Sequence, residues 1–536
     1  MQRPIIFLLA VLFYLPVTSQ IESGMDVAVT ETNSGKVRGF IRDGIFTYKG
    51  IPYGQAARFE TATAPEPWEG VRSSMSYGPV APLMNPTTAV MDESEFVFDH
   101  NWGYPNEDCL VLNVWTPGID DGKQRPVMVW LHGGGFTAGS SQELPSYHGE
   151  NLARNGDVVV VSINHRLNVL GFLDLSAYGD KYATSANNSM VDARLALEWV
   201  RDNIENFGGD PDNVLIFGQS GGGAKVNTLM AMPSAKGLFH KAVNQSGAFR
   251  GGFLTKETTQ ALGQETVAQL GIDEADIDAI QEVPFDTLAA AAQRAIRVVS
   301  TRLRDAGETI PGFGLSWGPS VDGSVLPYQM YDPEALALSK DIPLLIGTVK
   351  NEFMPSLRSN MSDATEAEVI EYLGNQYGEK AETYVEAVRE AYPDDSRASD
   401  LMDVDMMFRP GAVYQANEKS SLEGGAPVYM YLFTWQSPVL DGKYKALHCM
   451  ELPFVFDNID RCDQMTGGGA EAHALAEDVS RGWINFARTG DPNHAGLPEW
   501  PKYTQAEGAT MMLDVESTVR NHPDRALLDF MSQANQ

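Results

Sequence analysis

Several short, unbroken apolar runs stand out along the chain, and two of them end abruptly on glycine. Val127-Met128-Val129-Trp130-Leu131 leads into His132-Gly133-Gly134-Gly135, and Val214-Leu215-Ile216-Phe217 leads into Gly218. Runs of this length and β-branched or aromatic content predict buried strands. The residues after the second run, Ala224-Lys225-Val226-Asn227-Thr228-Leu229-Met230, suit a helix, so this stretch reads as strand, tight turn, helix. Helical pattern returns in the alanine-rich segments from Thr287 to Arg297 and from Ala470 to Ala476, and Leu452-Pro453-Phe454-Val455-Phe456 is a further compact apolar run. At the N-terminus, Arg3 precedes an apolar core from Ile5 to Leu15, and Val17-Thr18-Ser19 offers small residues before Gln20. That order predicts a signal peptide over residues 1–19 and a secreted or periplasmic protein. The apolar core is shorter than the roughly 20 residues of a membrane span and is bounded by Pro4 and Pro16, so no stable membrane anchor is expected.

The turn after the second run is Gly218-Gln219-Ser220-Gly221-Gly222, the Gly-x-Ser-x-Gly form of a nucleophile elbow. A strand-to-helix turn that sharp leaves no room for side chains two residues before and after the serine, which is why glycine stands there. A serine hydroxyl is a weak nucleophile alone, so it needs a base, an orienting carboxylate and donors for the developing oxyanion. His132-Gly133-Gly134-Gly135 has the form of an oxyanion loop, in which glycines let backbone N–H groups turn inward, and it lies upstream of the elbow as that architecture requires. The same architecture orders the chain as Ser, acid, His, so the base comes well after Ser220. His240 is too early, and His494 and His522 lie in polar stretches that read as surface loop. His448 and His473 remain. His473 falls in the alanine-rich helical pattern, where a solvated face is the ordinary explanation, while His448 precedes the apolar run from Leu452.

An ordered series of segments then resembles the type-B carboxylesterases. It includes Lys49-Gly50-Ile51-Pro52-Tyr53, Glu107-Asp108-Cys109-Leu110, Asn164-His165-Arg166-Leu167, Phe207-Gly208-Gly209-Asp210-Pro211, Gln245-Ser246-Gly247 and Phe486-Ala487-Arg488-Thr489-Gly490-Asp491-Pro492-Asn493. The resemblance implies an α/β-hydrolase fold with a large, mostly parallel central sheet flanked by helices, in one domain over 20–536. Residues 253 to about 340 read as a helical insertion shaping the mouth of the gorge. It implies a serine carboxylesterase acting on small-molecule esters through an acyl-enzyme, with no cofactor and no metal. The related alternatives are an amidase or carbamate hydrolase of the same mechanism, or a binding or adhesion module, which the presence of a complete triad disfavours. By match to the family's motifs, His448 in His448-Cys449-Met450-Glu451-Leu452-Pro453-Phe454-Val455-Phe456 is the base and Glu352 after Ile346-Gly347 is the acid. The backbone N–H groups of Gly134, Gly135 and Gly221 are the implied oxyanion donors.

The chain departs from that pattern in places. Gln219 stands where the family usually has Glu, and Gly221 where it usually has Ala, which predicts a more flexible elbow. No cysteine precedes Cys109, so the family's disulfide across the preceding loop cannot form, leaving residues 84–106 either looser or held by packing. Arg58 and Glu107 occupy the positions of a buried ion pair, whose rupture would cost about 3–5 kcal/mol.

Composition narrows the picture further. The three cysteines lack any spacing suited to zinc, and Cys449 and Cys462 are either bridged in a short loop or two unpaired thiols. With 39 basic against 71 acidic residues, the net charge of −32 argues against nucleic acid or an anionic membrane as partner. Its ordinary meaning is solubility, with steering of a cationic substrate as the sharper alternative.

Overall fold

The computed structural model describes residues 20–84, 93–248, 251–308 and 314–534. The expected signal peptide over 1–19 lies outside the described residues. Twelve strands form the main sheet: β1 (Ile21–Glu22), β2 (Phe40–Arg42), β3 (Ile45–Pro52), β4 (Val111–Thr116), β5 (Arg125–Leu131), β6 (Val159–Ile163), β7 (Gly209–Gln219), β8 (Lys241–Gln245), β9 (Leu344–Val349), β10 (Val428–Phe433), β11 (Ala509–Leu513) and β12 (Thr518–Asn521). Their spatial order is β1-β2-β3-β4-β6-β5-β7-β8-β9-β10-β11-β12. From β6 through β11 every pairing is parallel, and antiparallel strands lie at both edges.

Because both faces of the parallel strands are covered, their apolar runs need no polar alternation. The period of two instead divides each run between two cores. Val127, Val129 and Leu131 with Val214 and Ile216 join one cluster, while Met128, Trp130, Leu215 and Phe217 join the other. On the second face Trp130 meets Phe217 edge-on at 4.9 Å and Phe456 at 5.1 Å, which ties the apolar run after His448 to the sheet centre.

Helices α1 (Asn188–Asn203), α2 (Gly221–Met230), α3 (Lys256–Leu270), α4 (Phe285–Asp305) and α5 (Ala470–Thr489) are the longer elements around the site. The expected insertion is present, with α3 and α4 packed together between β8 and β9. A second one, between β9 and β10, carries the helices Glu366–Tyr377, Ala381–Ala391 and Arg409–Ser420.

Register decides what meets at the carboxyl ends of the strands. Gly218 pairs with Leu131, Gln219 with Gln245, and Gln245 with Gly347. The loops that follow β5, β7, β8 and β9 therefore emerge side by side, in the crevice where open parallel sheets hold their ligands.

One sequence expectation is corrected here and one open alternative is decided. Arg58 and Glu107 do pair, through two guanidinium nitrogens, but the Glu107 side chain is 31% exposed, so the pair is not buried. Arg58 also donates to the Val283 carbonyl, which ties it to the helical insertion. Of the two alternatives for Cys449 and Cys462, both are free thiols: Cys462 packs in the second core and Cys449 turns to Gln219. The loop before Cys109 is held by packing where it is described. Val97 is buried, Lys443 pairs with Glu93 at 2.6 Å, and His100 stacks on Trp102 at 4.3 Å.

Candidate active site

Ser220 has φ 56° and ψ −123°, a conformation that costs a non-glycine residue about 1–3 kcal/mol. The surroundings hold it there. Its N–H donates to the Gln245 carbonyl at 2.8 Å, and its own carbonyl accepts from the Ala224 N–H at 3.0 Å in the first turn of α2. The steric demand for glycine is plain in the geometry. A Cβ on Gly218 would lie 2.5 Å from the Gly222 carbonyl carbon, and one on Gly222 would lie 2.0 Å from the Leu131 oxygen. Between Val214 and Met232, Ser220 is the one residue that is not buried. The turn lifts a single hydroxyl out of the core.

His448 lies on a loop that pairs with the end of β9. Asn351 bridges Leu447 in parallel, the Asn351 N–H donates to Ala446 at 3.1 Å, and the His448 N–H donates to the Glu352 carbonyl at 3.0 Å. That backbone alignment brings the two side chains together, and His448 Nδ1 bonds Glu352 Oε2. The other carboxylate oxygen accepts the Val349 N–H at 3.1 Å. Gln219, beside the serine, approaches both ring nitrogens at 3.3 Å, and its carbonyl oxygen accepts from the Cys449 thiol at 3.2 Å. The elbow and the histidine loop thus meet through Gln219.

Burial lowers the His448 imidazole below its ordinary value, partly offset by the carboxyls of Glu451 and Asp405. A neutral ring is what a general base requires. Burial also raises Glu352, against the Ser246 hydroxyl and the Val349 N–H, which favour its charged form. Glu451 and Asp405 are each raised by burial and then by the charge of Glu352, both to about 7. Two phenyl rings flank the imidazole, Phe353 at 4.5 Å and Phe408 at 5.3 Å. Phe353 is 41% exposed, so an aromatic face borders the site on the solvent side.

The glycine loop after β5 lies over the elbow. Gly134 and Gly135 have φ of 79° and 63°. A Cβ on Gly133 would stand 3.7 Å from Ser220 Cβ, and a Cβ on Gly221 would stand 2.3 Å from the nitrogen and oxygen of Gly135. The expected flexibility of a glycine at 221 is therefore corrected: the residue is wedged between two backbones. Beside Gly135 and Gly221 opens a cavity of about 400 Å³, walled by Phe136, Phe253, Leu315, Trp317 and Met330. Most of this wall belongs to the insertion between β8 and β9.

Of the residues expected from sequence, Ser220, His448, Glu352, Gly134, Gly135 and Gly221 gather in this region. His473 does not: it lies exposed on α5 beside Asp460. Phe353, Phe408, Asp405 and Lys225 were not singled out. Phe353 follows Glu352 directly, and Lys225 is the one charged residue in Gly221–Met230, which were the available signals. Among the described residues no cluster of His, Cys, Asp and Glu is arranged to hold a metal.

Comparison with known proteins gives the family. A model of the carboxylesterase family matches residues 26–531. The para-nitrobenzyl esterase of Bacillus subtilis (strain 168) is 36% identical over 506 residues, covering 92% of this chain and 96% of that protein. The phenmedipham hydrolase of Pseudarthrobacter oxydans is 34% identical over 503 residues, covering 91% and 95%. Among solved structures, an esterase from Clostridium hathewayi, described as able to hydrolyse aliphatic aromatic polyesters, superposes with a TM-score of 0.82 at 38% identity, covering 96% of this chain and all of that one.

Proposed function

The chain belongs to the carboxylesterase family and is a serine carboxylesterase, and on that premise we propose that Ser220, His448 and Glu352 cleave the ester in the crevice beneath the Gly133–Gly135 loop. One observation supports the assignment: Gln219, the neighbour of the accessible serine on its constrained turn, touches the imidazole of the bonded His448–Glu352 pair. Ser220 Oγ attacks the ester carbonyl while His448 takes its proton, and Glu352 fixes the tautomer and stabilises the imidazolium. The N–H groups of Gly134, Gly135 and Gly221 receive the oxyanion, each such donor being worth about 3–4 kcal/mol of barrier. Loss of the alcohol leaves an acyl-enzyme, and water activated by the same base releases the acid.

The cavity beside Gly135 and Gly221 supports an apolar group as the acyl part, since its named walls are aromatic and aliphatic. The aromatic face of Phe353 supports an aromatic or apolar alcohol. Residues 1–19 are read as a signal peptide. N-terminal sequencing of the exported protein should begin at Gln20, and a mature chain that keeps Met1 would refute that reading.

A sulfonyl fluoride or organophosphate should label Ser220 with loss of activity, located by peptide mass spectrometry. Ser220→Ala should remain folded and lose at least about three orders of magnitude in kcat. An adduct on Ser246, or more than a few per cent residual activity, would overturn the assignment.

A further inference from the structure

Lys225 is fully buried at the start of α2, and its ammonium is directed at backbone carbonyls, donating to His132 O at 2.8 Å and Gly133 O at 3.4 Å. Burying a cation in this way is costly. Burial lowers its pKa to about 7, with the Glu143 carboxylate opposing that shift. Glu143 is itself occupied with the Tyr147 hydroxyl at 3.2 Å. The nearby imidazoles of His132 and His165, stacked at 4.9 Å, are both lowered by burial and then by this cation, so that below about pH 7 Lys225 is the positive charge of the cluster.

The direction of that charge matters because of peptide geometry. In a trans peptide the carbonyl of one residue and the N–H of the next point opposite ways, and no described peptide here is cis. Whatever grips a carbonyl therefore aims the following N–H. For the Gly221 N–H the grip is Ala224 on the Ser220 carbonyl, at 3.0 Å. For the Gly135 N–H it is Ala138 and Thr137 on the Gly134 carbonyl, at 3.0 and 3.3 Å. For the Gly134 N–H the Gly133 carbonyl is shared by His132 Nδ1 at 2.9 Å and by Lys225. Lys225 also grips the His132 carbonyl, and the Gly133 N–H that follows it turns to the buried Tyr147 hydroxyl. It is the only charged group among these grips, so it also polarises the peptides it holds.

We propose that Lys225 is a positioning residue for ester hydrolysis, its ammonium holding the Gly133 carbonyl from behind so that the Gly134 N–H stays aimed at, and polarised toward, the oxyanion on the substrate side. This rests on the reading of Ser220 as nucleophile and of the glycine loop as oxyanion site. The bond it supports is the one formed in the tetrahedral intermediate, and Lys225 exchanges no proton in the step.

Lys225→Met keeps an unbranched side chain one atom shorter and removes the charge. Stoichiometric organophosphate labelling of Ser220 would count competent sites, so that rates refer to folded enzyme alone. The expected result is a fall in kcat of about ten- to a hundredfold with KM changed less than about threefold. Affinity for a trifluoromethyl ketone, which forms a tetrahedral adduct with the serine, should fall in parallel with kcat/KM. Lys225→Gln, which keeps a donor without the charge, should lie between wild type and Lys225→Met, and it carries the test if the Met variant fails to fold. A kcat within about twofold of wild type per labelled site, or ketone affinity unchanged while kcat falls, would overturn the proposal. Failure of the underlying reading is distinguishable, because it would appear as label away from Ser220 or as activity surviving Ser220→Ala.

Discussion

His448 sits among the carboxyls of Glu352, Glu451 and Asp405 and against the rings of Phe353 and Phe408, and its burial holds the ring neutral at acidities where an exposed imidazole would be charged. Protonation removes the base. Since the folded-state pKa lies below the ordinary value of about 6.5, activity should persist as pH falls past that value, with the acid limb of kcat/KM below about pH 6. A limb at 6.5 or above would contradict the burial argument. Gln219→Glu should move the limb upward, because an anion against the ring favours the imidazolium; a downward shift would show that Gln219 does not govern it. His448→Ala should cost about as much as loss of the serine, whereas His473→Ala should leave kcat within about twofold, since His473 faces solvent on α5. Glu352→Gln keeps the shape but loses the charge that steadies the imidazolium, so kcat should fall by about a hundredfold or more with little change in KM. Wild-type turnover in that variant would assign the third role elsewhere.

Between elements, the contact that sets the site is the one between the glycine loop after β5 and the turn before α2. A methyl group at position 221 would strike the backbone of Gly135, which cannot rotate aside as a side chain would, so the loop has to shift by about 1 Å to reach ordinary contact. Gly221→Ala should therefore lower kcat by about tenfold or more and slow labelling of Ser220, even though related enzymes usually carry alanine there. Unchanged kinetics would mean that the loop accommodates the methyl group without moving its donors. The pairing of Arg58 with Glu107 spans from the segment after β3 to the insertion at Val283, and partial exposure screens it. Arg58→Met should cost about 1 kcal/mol and lower the melting temperature by no more than about 2 °C, with kcat unchanged. A loss of several kcal/mol would restore the fully buried pair expected from the resemblance.

At the scale of the whole molecule, the excess of acidic residues leaves a net charge of −32, and the like charges repel one another most in the compact state. Screening relieves that repulsion over the Debye length, which shrinks from about 30 Å at 0.01 M salt to about 10 Å at 0.1 M. The melting temperature should rise as sodium chloride goes from about 0.01 to 0.5 M, and a fall would show that attractive ion pairs outweigh the net repulsion. Catalysis should depend on salt far less for a neutral ester than for a cationic one if the acidic surface steers substrates. Equal salt dependence for the two would leave solubility as the meaning of the charge.

The strand at Val214–Phe217, the turn at Ser220 and the glycine loop at 133–135 were legible in the sequence because each is fixed locally, by side-chain packing of a short apolar run and by the room that only glycine leaves. The base was not. Residue pattern alone left His448 beside His473, and Glu352 entered only through a family motif, because neither has a local signature tying it to a serine far along the chain. Strand register made the choice: the pairing of β7 with β5 and β8, and of β8 with β9, brings four loop ends into one crevice, and the bridge from Asn351 to Leu447 aligns His448 with Glu352. The same long-range pairing put the Lys225 ammonium behind the glycine loop and left Cys449 a thiol bonded to Gln219. These contacts join residues distant in sequence, so their geometry exists only once the sheet has closed the distances between them.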